Sequence, residues 1–377
     1  MGRNRKMKLF QEKPIVEKYS RAKDFVSEYG IGKGDFILAS KGVYEKYFAP
    51  LGLEAHVEYK GKYGQGEPTD RMIDALLSDF RKAGCERIVA IGGGAVIDMA
   101  KILVLGGDVG AEQYFRREVP LKKVRKLIAV PTTCGAGSEV SNVSIAEISG
   151  MRSKLGLAAD EIYADAAVLI PELLTELPYF YFATSAIDGF IHAIESFVSP
   201  RANLYTEMFS QKAMEMILAG FGRILSEGEE ARKELLDDFL TASNLAGIAF
   251  GNAGTGMVHA MSYPLSGKYH VAHGEANYQF LTAVFGFYQR ECPEGKIREL
   301  NRFLGRILGC GETAVYDELE RLFDRIIARK KLRQYGMAES EIWEFAASVE
   351  KSQGRLLNQS YVRPSAEQMA EVYRKLW

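Results

Sequence analysis

From Asp35 onward the chain alternates short runs of β-forming apolar residues with stretches whose apolar positions recur every three and four residues. FILAS, RIVAI and KLIAV are the short runs; RMIDALLSDFRKAG and AVIDMAKILVL are the periodic stretches between them. Runs so short and so uniformly apolar suit strands buried on both faces. With helices interleaved and Gly or Pro at the joints, they predict a parallel sheet wound with helices. After Pro171 the character changes. PELLTELPYFYFATSAIDGFIHAIESF, LYTEMFSQKAMEMILAGFGRIL, ARKELLDDFLTASNLAGIAFG and YDELERLFDRIIARKKL all follow helical spacing. The final segment, SAEQMAEVYRKLW, places Ser365 and Gln368 as a capping box behind Pro364. The pattern predicts an α/β domain over residues 1–170 and an all-helical domain over 171–377, without internal repeats or low-complexity segments.

Composition narrows the class. A chain of 377 residues is long enough for two or three domains with a cleft between them. A hydrophobic fraction of 47%, a charged fraction of 26% and a net charge of -1 describe an ordinary globular chain, with no overall attraction for nucleic acid or an anionic membrane. Cys85, Cys134, Cys292 and Cys310 form no CxxC pair, which predicts reduced thiols and a cytoplasmic location. The start, MGRNRKMKLFQEK, is basic but lacks the apolar stretch of a signal peptide. No run of about 18 apolar residues predicts a membrane span.

Two loops carry candidate chemistry. In RIVAIGGGAVIDMAK the strand Arg87–Ile91 runs into Gly92, Gly93 and Gly94 and then a helix. Bare backbone at a helix N-terminus lets phosphate oxygens reach unpaired N–H groups, so this loop is either a phosphate or dinucleotide cradle or a tight strand-to-helix turn. Asp98, early in that helix, either favours the helix dipole or touches a ligand. The second loop, in KLIAVPTTCGAGSEVSN, puts Thr132, Thr133, Gly135, Gly137 and Ser138 at the end of a strand, where open α/β sheets bind phosphate and ribose. The alternative is a capped turn in which Ser138 and Glu139 open a helix, and Cys134 reads as a small packing residue.

The helical half carries the other candidates. TSAIDGFIHAIESFVS is apolar almost all round and predicts a buried helix from about Ser185, interrupted by Asp188, His192 and Glu195. Spacings of four and three put these on one face, where carboxylate and imidazole converge; a capping box from Ser185 to Asp188 is the plainer account, and Glu195 reads as a supporting partner. Further on, MVHAMSYPLSGKYHVAHG holds three of the chain's five histidines. Composition alone puts about 0.2 histidines in the fifteen residues from His259 to His273. The pattern predicts His259 near a helix end, SYPLSGKY as a turn and His273 at the start of the next element. Asp188, His192, His259 and His273 together have the ligand softness of Fe(II), favoured here, or Zn(II), whereas Mg or Ca prefers more oxygen.

These motifs together resemble the iron-containing (group III) alcohol dehydrogenase family. Its GGGSxxD loop is similar to Gly92 through Asp98, its PTTxGTGSE loop to Pro131 through Glu139, its DALxHAxE helix to Asp188 through Glu195, and its second histidine region to His259 through Gly274. The resemblance runs from about Asp35 to the end of the chain. It implies a dehydroquinate synthase-like architecture with a Rossmann-like N-terminal domain. It also implies Asp188, His192, His259 and His273 as metal ligands, Gly93, Gly94 and Ala95 at a pyrophosphate, Thr132 and Thr133 on the cofactor, and Lys154 near its ribose. Ala95 replaces the usual Ser and removes one hydroxyl donor. Ser40 stands where many relatives carry an Asp that binds the adenosine ribose, so with Lys41 beside it NADP is admitted beside the expected NAD. Tyr263 replaces a further active-site histidine of many relatives and is expected to line the pocket.

Within the family, PTTCGAGSEVSNVSIAE and HAMSYPLSGKYHVAHGEANY resemble the members that oxidise 4-hydroxybutyrate to succinate semialdehyde. The expected activity is metal-assisted hydride transfer to nicotinamide from that alcohol. Lys268 and His270 are the candidates for the substrate carboxylate, and solvated loop residues are the plainer reading of both. Alternatives are a dehydrogenase of a neutral primary alcohol or diol, a lyase of the dehydroquinate synthase type, whose Glu, His, His ligands differ from this set, and a catalytically silent nucleotide- and metal-binding protein. The expected partners are a small hydroxy acid or alcohol and a second copy of the chain in a dimer, with neither nucleic acid nor membrane.

Overall fold

The computed structural model describes residues 8–150 and 153–377; the basic start MGRNRKM lies outside the described residues. Its strands are β1 (Ile15–Lys18), β2 (Asp35–Ala39), β3 (His56–Tyr59), β4 (Arg87–Gly92), β5 (Lys126–Pro131), β6 (Val143–Ile148), β7 (Ser153–Ala158) and β8 (Ala166–Leu169). The first helices are α1 (Ala22–Tyr29), α2 (Lys41–Tyr47), α3 (Asp70–Ala83), α4 (Gly94–Leu103) and α5 (Ala111–Phe115). After β8 the chain is helical: α6 (Tyr179–Val198), α7 (Leu204–Glu227), α8 (Leu236–Ala253), α9 (Met257–Tyr269), α10 (His273–Glu291), α11 (Lys296–Leu308), α12 (Val315–Ile326), α13 (Glu341–Ser352), α14 (Gly354–Leu357) and α15 (Ala366–Leu376), with short 3-10 turns between some of them.

Six strands form one parallel sheet in the order β1-β8-β5-β4-β2-β3. The apolar runs are central strands for the expected reason: β2 is buried along its whole length, and β4 and β5 are buried except at their first residues. Alternate residues face different cores. Phe36, Leu38, Ile88, Ala90, Leu127 and Ala129 pack with α3 and α4 in one cluster. Ile37, Ala39, Val89, Ile91, Ile128 and Val130 join the opposite cluster, which continues through α6 and the rest of the helical half. The sheet therefore rests directly on the helices that carry the histidines.

The chain leaves β2 for edge strand β3 and returns on the other side to β4, so the carboxyl ends of β2 and β4 flank a topological switch point, where open α/β sheets bind ligands. Three loop starts are tied together there: Ser40 N donates to Ile91 O at 2.8 Å, and Thr132 N donates to Gly92 O at 3.1 Å.

Three expectations are corrected. Ser138 and Glu139 open only a 3-10 turn, Ser138–Val140, after which the chain makes the antiparallel hairpin β6–β7. The α6 helix starts at Tyr179 behind Pro178, so Ser185 lies inside it, and its hydroxyl donates to Phe182 O at 3.1 Å rather than capping. SYPLSGKY is no turn: α9 continues through Pro264 to Tyr269. Met257, Val258, Met261 and Leu265 are fully buried along it, and that burial outweighs the hydrogen bond Pro264 cannot donate.

Candidate active site

The α6 helix presents Asp188, His192 and Glu195 on one face, all three nearly inaccessible to solvent. Two glycines let other segments reach it. A Cβ on Gly135 would lie 1.9 Å from Ser185 O, and one on Gly274 would lie 2.5 Å from Thr184 O. The first contact brings the PTTCGAGSE loop against the middle of α6. The second lets the N-terminus of α10 set its first residue, His273, beside Asp188.

One ligand atom from each of Asp188, His192, His259 and His273 lies within 4.8 Å of the others. Each side chain is held by a neighbour. His192 Nδ1 is 2.9 Å from Gly135 O, which fixes Nδ1 as the protonated nitrogen and leaves Nε2 for other use. Phe250 stacks on the same ring at 4.3 Å between centroids. Glu195 Oε2 is 2.6 Å from His259 Nδ1, while its Oε1 accepts from Val258 N at 2.7 Å. The Asn277 amide donates to Asp188 Oδ1 at 2.7 Å and stands 3.1 Å from His273 Nε2. The supporting role expected for Glu195 is thus taken by two residues, and Asn277 carried no recognisable signal in the sequence.

The electrostatics favour ligation over titration. Burial pushes the His192 imidazole down to about 4, with Asp188 opposing and the other imidazoles adding to the fall. Burial likewise lowers His273. For Asp188 burial acts upward, but the three imidazoles and the Asn277 amide outweigh it and hold the carboxyl below its ordinary range. The result is a carboxylate beside two imidazoles, His192 and His273, whose burial favours their neutral form. His259 Nε2 is buried with no hydrogen-bond partner and is 3.9 Å from Asp188 Oδ1. A desolvated acceptor of that kind, converging with three other donors, fits a divalent ion.

The cluster shares a cavity of about 530 Å³ with the glycine-rich loops; Gly94, Ala95, Asp98, Thr133, Lys154 and Tyr263 line it. Gly93 and Thr132 stand just behind that lining, as N-cap of α4 and as the residue following β5. Gly94 is confined on the same side: a Cβ there would be 3.0 Å from Ala136 Cβ and 3.5 Å from Ser138 Oγ. Asp98 does more than favour a dipole. Its Oδ2 accepts from Ile145 N at 2.9 Å, binding α4 to the hairpin, while its buried Oδ1 has no hydrogen bond and lies 3.6 Å from Lys101 Nζ. Lys154 Nζ is 4.0 Å from Glu67 Oε2 and 5.4 Å from the Tyr263 ring centre. Tyr263 is 6.2 Å, ring to ring, from His273, and burial pushes its phenol up to about 12. Ser40 follows β2 at the N-cap of α2, beyond this lining. Cys134 packs against Phe182 O and Ser185 Oγ, and burial pushes its thiol up to about 12.

Lys268 and His270 are not brought to the cavity. Lys268 pairs with Glu341 on the far part of α9. His270 is exposed and ends α9 with φ 54, a left-handed position that histidine adopts more readily than most side chains. Instead Arg201, Arg355 and Gln359 line the cavity, none of them in a segment with a recognisable motif.

A glycine-loop cradle at a switch point, facing an Asp-His-His-His cluster across one cavity, defines a class: a dehydrogenase with a nucleotide side and a metal side. The sequence profile described as "Iron-containing alcohol dehydrogenase" matches residues 15–171, and that of the "Fe-containing alcohol dehydrogenase family, C-terminal" matches residues 182–377. The chain belongs to the iron-containing alcohol dehydrogenase family and is an oxidoreductase of that kind. It is 48% identical over 371 residues to the 4-hydroxybutyrate dehydrogenase of Clostridium kluyveri, covering 98% of this chain and 100% of the relative. It is 28% identical to the NAD-dependent methanol dehydrogenase of Bacillus methanolicus, over 70% of this chain and 69% of the relative. The solved iron-containing alcohol dehydrogenase of Thermococcus thioreducens superposes with a TM-score of 0.80 at 26% identity, over 97% of this chain and 99% of that one. Among the described residues no helix is long and apolar enough to cross a membrane.

Proposed function

We propose that this enzyme catalyses the reversible oxidation of 4-hydroxybutyrate to succinate semialdehyde with NAD, using Fe(II), or Zn(II) in its place, held by Asp188, His192, His259 and His273. The observation that carries the reading is the single cavity that joins the four-ligand cluster to the glycine loops. Near-full-length identity of 48% to a 4-hydroxybutyrate dehydrogenase supports the substrate. The ion bound there supplies Lewis acidity to a hydroxyl oxygen, and the nicotinamide supplies the hydride acceptor.

The chain's own residues do the rest. The backbone of Gly93, Gly94 and Ala95 at the start of α4 receives the pyrophosphate. Thr132 and Thr133 hold the cofactor on the side of β5, Lys154 stands near its ribose, and Ser40 meets its adenosine ribose. Asp98 keeps α4 and the hairpin in register around the cofactor. Tyr263 forms a wall between His273 and Lys154 and, with its proton firmly held, acts as a neutral surface. Phe250 covers His192 and keeps water from its far face. This fixes the distance between the alcohol carbon and the nicotinamide, where most of the rate is gained. We further propose a cytoplasmic enzyme that works as a dimer.

The test is absorbance at 340 nm with metal-reconstituted protein, NAD or NADP, and 4-hydroxybutyrate, butan-1-ol, 1,2-propanediol or glycerol as substrate. Preferential turnover of 4-hydroxybutyrate with NAD is expected. Good turnover of a neutral alcohol with none of 4-hydroxybutyrate would overturn the substrate and leave a dehydrogenase of neutral alcohols.

A further inference from the structure

A 4-hydroxybutyrate carboxylate entering this cavity meets Glu67, Asp98 and Asp188 in its walls. Without a cation of its own its desolvation would be uncompensated. Among the described residues, the lysines and arginines that line the cavity are Lys154, Arg201 and Arg355. Lys154 is already opposed by Glu67 and lies over the Tyr263 ring. Arg201 belongs to the turn after α6, its backbone N bound to Ser199 Oγ at 3.1 Å.

Arg355, from α14, is differently placed. Its Nη2 lies 3.2 Å from where a Cβ on Gly156 would be. Gly156 is two residues from Lys154 on β7, so the guanidinium rests on the strand face that carries Lys154. Among the described residues it pairs with no carboxylate, and it is exposed at the cavity rim. The Tyr263 ring is 6.2 Å from that of His273. The guanidinium, the tyrosine and the imidazole cluster all line the same cavity. An extended four-carbon hydroxy acid spans about 5 Å from hydroxyl oxygen to carboxylate carbon, short enough to lie within a cavity that the guanidinium and the cluster both line.

We propose that Arg355 is the anchor for the substrate carboxylate, so that the cavity selects ω-hydroxy acids of about four carbons over neutral alcohols of the same length. The inference rests on the reaction proposed above. A guanidinium fork pairs with a carboxylate in two parallel hydrogen bonds, which gives orientation as well as attraction, and its place at the rim leaves the reacting end of the substrate at the cluster.

The experiment is the ratio of kcat/KM for 4-hydroxybutyrate to kcat/KM for butan-1-ol, measured on metal-loaded enzyme. Arg355→Ala is expected to lower that ratio about a hundredfold, the size expected for a lost charge-assisted pair, with the loss in KM for the acid. Arg355→Lys should recover part of it, because a point charge remains without the fork. Lys268→Ala should leave the ratio within about twofold of wild type. The inference is overturned if Arg355→Ala changes the ratio less than about threefold, if both substrates fall together, or if Arg201→Ala produces the selective loss instead. A wild-type enzyme that oxidises butan-1-ol but not 4-hydroxybutyrate would overturn the proposed reaction itself, and the anchor with it. The two failures are distinct, since the first leaves wild-type activity on the acid intact.

Discussion

Replacing Glu195 with Gln tests how the metal cluster is held. Glu195 is 2% exposed and uses both oxygens as acceptors, at 2.6 Å from His259 Nδ1 and 2.7 Å from Val258 N. Both partners are donors, so an ionised carboxylate satisfies both, and in doing so it keeps the His259 proton on Nδ1 and the Nε2 lone pair toward Asp188. An amide has one oxygen. In Glu195→Gln, either the Val258 N–H meets an NH2 group and is left unpaired, at about 1–3 kcal/mol, or His259 turns over to the Nε2–H tautomer and ceases to be a ligand. The lost carboxylate also makes the imidazole a poorer donor, and loss of such a partner typically weakens metal binding about 10- to 100-fold. The expected outcome is therefore a metal Kd raised about 10- to 100-fold, read by competition against a chromophoric chelator with Zn(II) or Co(II). The metal-free Tm should fall by a few degrees as the backbone donor goes unpaired. Activity should return at saturating metal if the tautomer is retained, and not otherwise. A Glu195→Gln enzyme with metal affinity within twofold of wild type would refute the argument that this carboxylate sets the ligating nitrogen.

Three further outcomes follow from the same geometry. For the metal-free protein, His192 sits at about 4 when folded and near its ordinary 6.5 when unfolded, so the unfolded chain binds the extra proton between those values. Stability should fall as pH drops through that window, by about 3 kcal/mol from this group, and Asp188, held low when folded, acts in the same direction at the acid end; urea titrations at pH 7, 5.5 and 4.5 that show constant stability would contradict this. Gly135→Ala places a methyl 1.9 Å from Ser185 O and must displace either the loop or α6, which should destabilise the protein by about 2–3 kcal/mol in a thermal melt and weaken both metal and NADH binding; a change in one ligand alone would contradict it. Tyr263→Phe should leave the alkaline limb of the kcat/KM profile unmoved up to pH 10, because the phenol holds its proton to about 12; a shift in that limb would give Tyr263 a proton-transfer role.

How much of this was legible in the sequence depends on which interaction decided each element. The central strands β2, β4 and β5 were readable because burial on both faces removes polar positions from the pattern. Edge strand β1 exposes Ile15 and Val16, at 65% and 42%, so its apolar residues carried no burial signal. The hairpin β6–β7 mixes Ser, Glu and Lys into VSIAEI and SKLGLA, and only its pairing and its contact with α4 make it regular. In α9 the local signals pointed the wrong way. Pro264, Ser266 and Gly267 read as a turn, and the packing of Met257, Val258, Met261 and Leu265 overrode them. His270 attracted a functional reading by residue type alone, although its role in the fold is to end that helix in a left-handed conformation.

The four residues proposed to hold the metal were legible for a different reason: three of the five histidines fall within fifteen residues, and Asp188 and His192 interrupt an otherwise apolar helix. Their supports were not, because Asn277, Phe250 and Arg355 are ordinary residue types whose meaning comes only from what the fold sets beside them. The loop Pro131–Glu139 shows why the two halves of the site belong together. Thr133 lines the cavity beside the Gly94–Ala95 loop, while two residues on Gly135 gives its carbonyl oxygen to His192 and accepts no side chain because Ser185 O is in the way. One short segment thus sets both a wall of the proposed cofactor pocket and the orientation of the His192 imidazole. A displacement that loosened the first would rotate the second, so cofactor and metal binding are expected to be coupled through this loop, each raising the affinity for the other by the same factor.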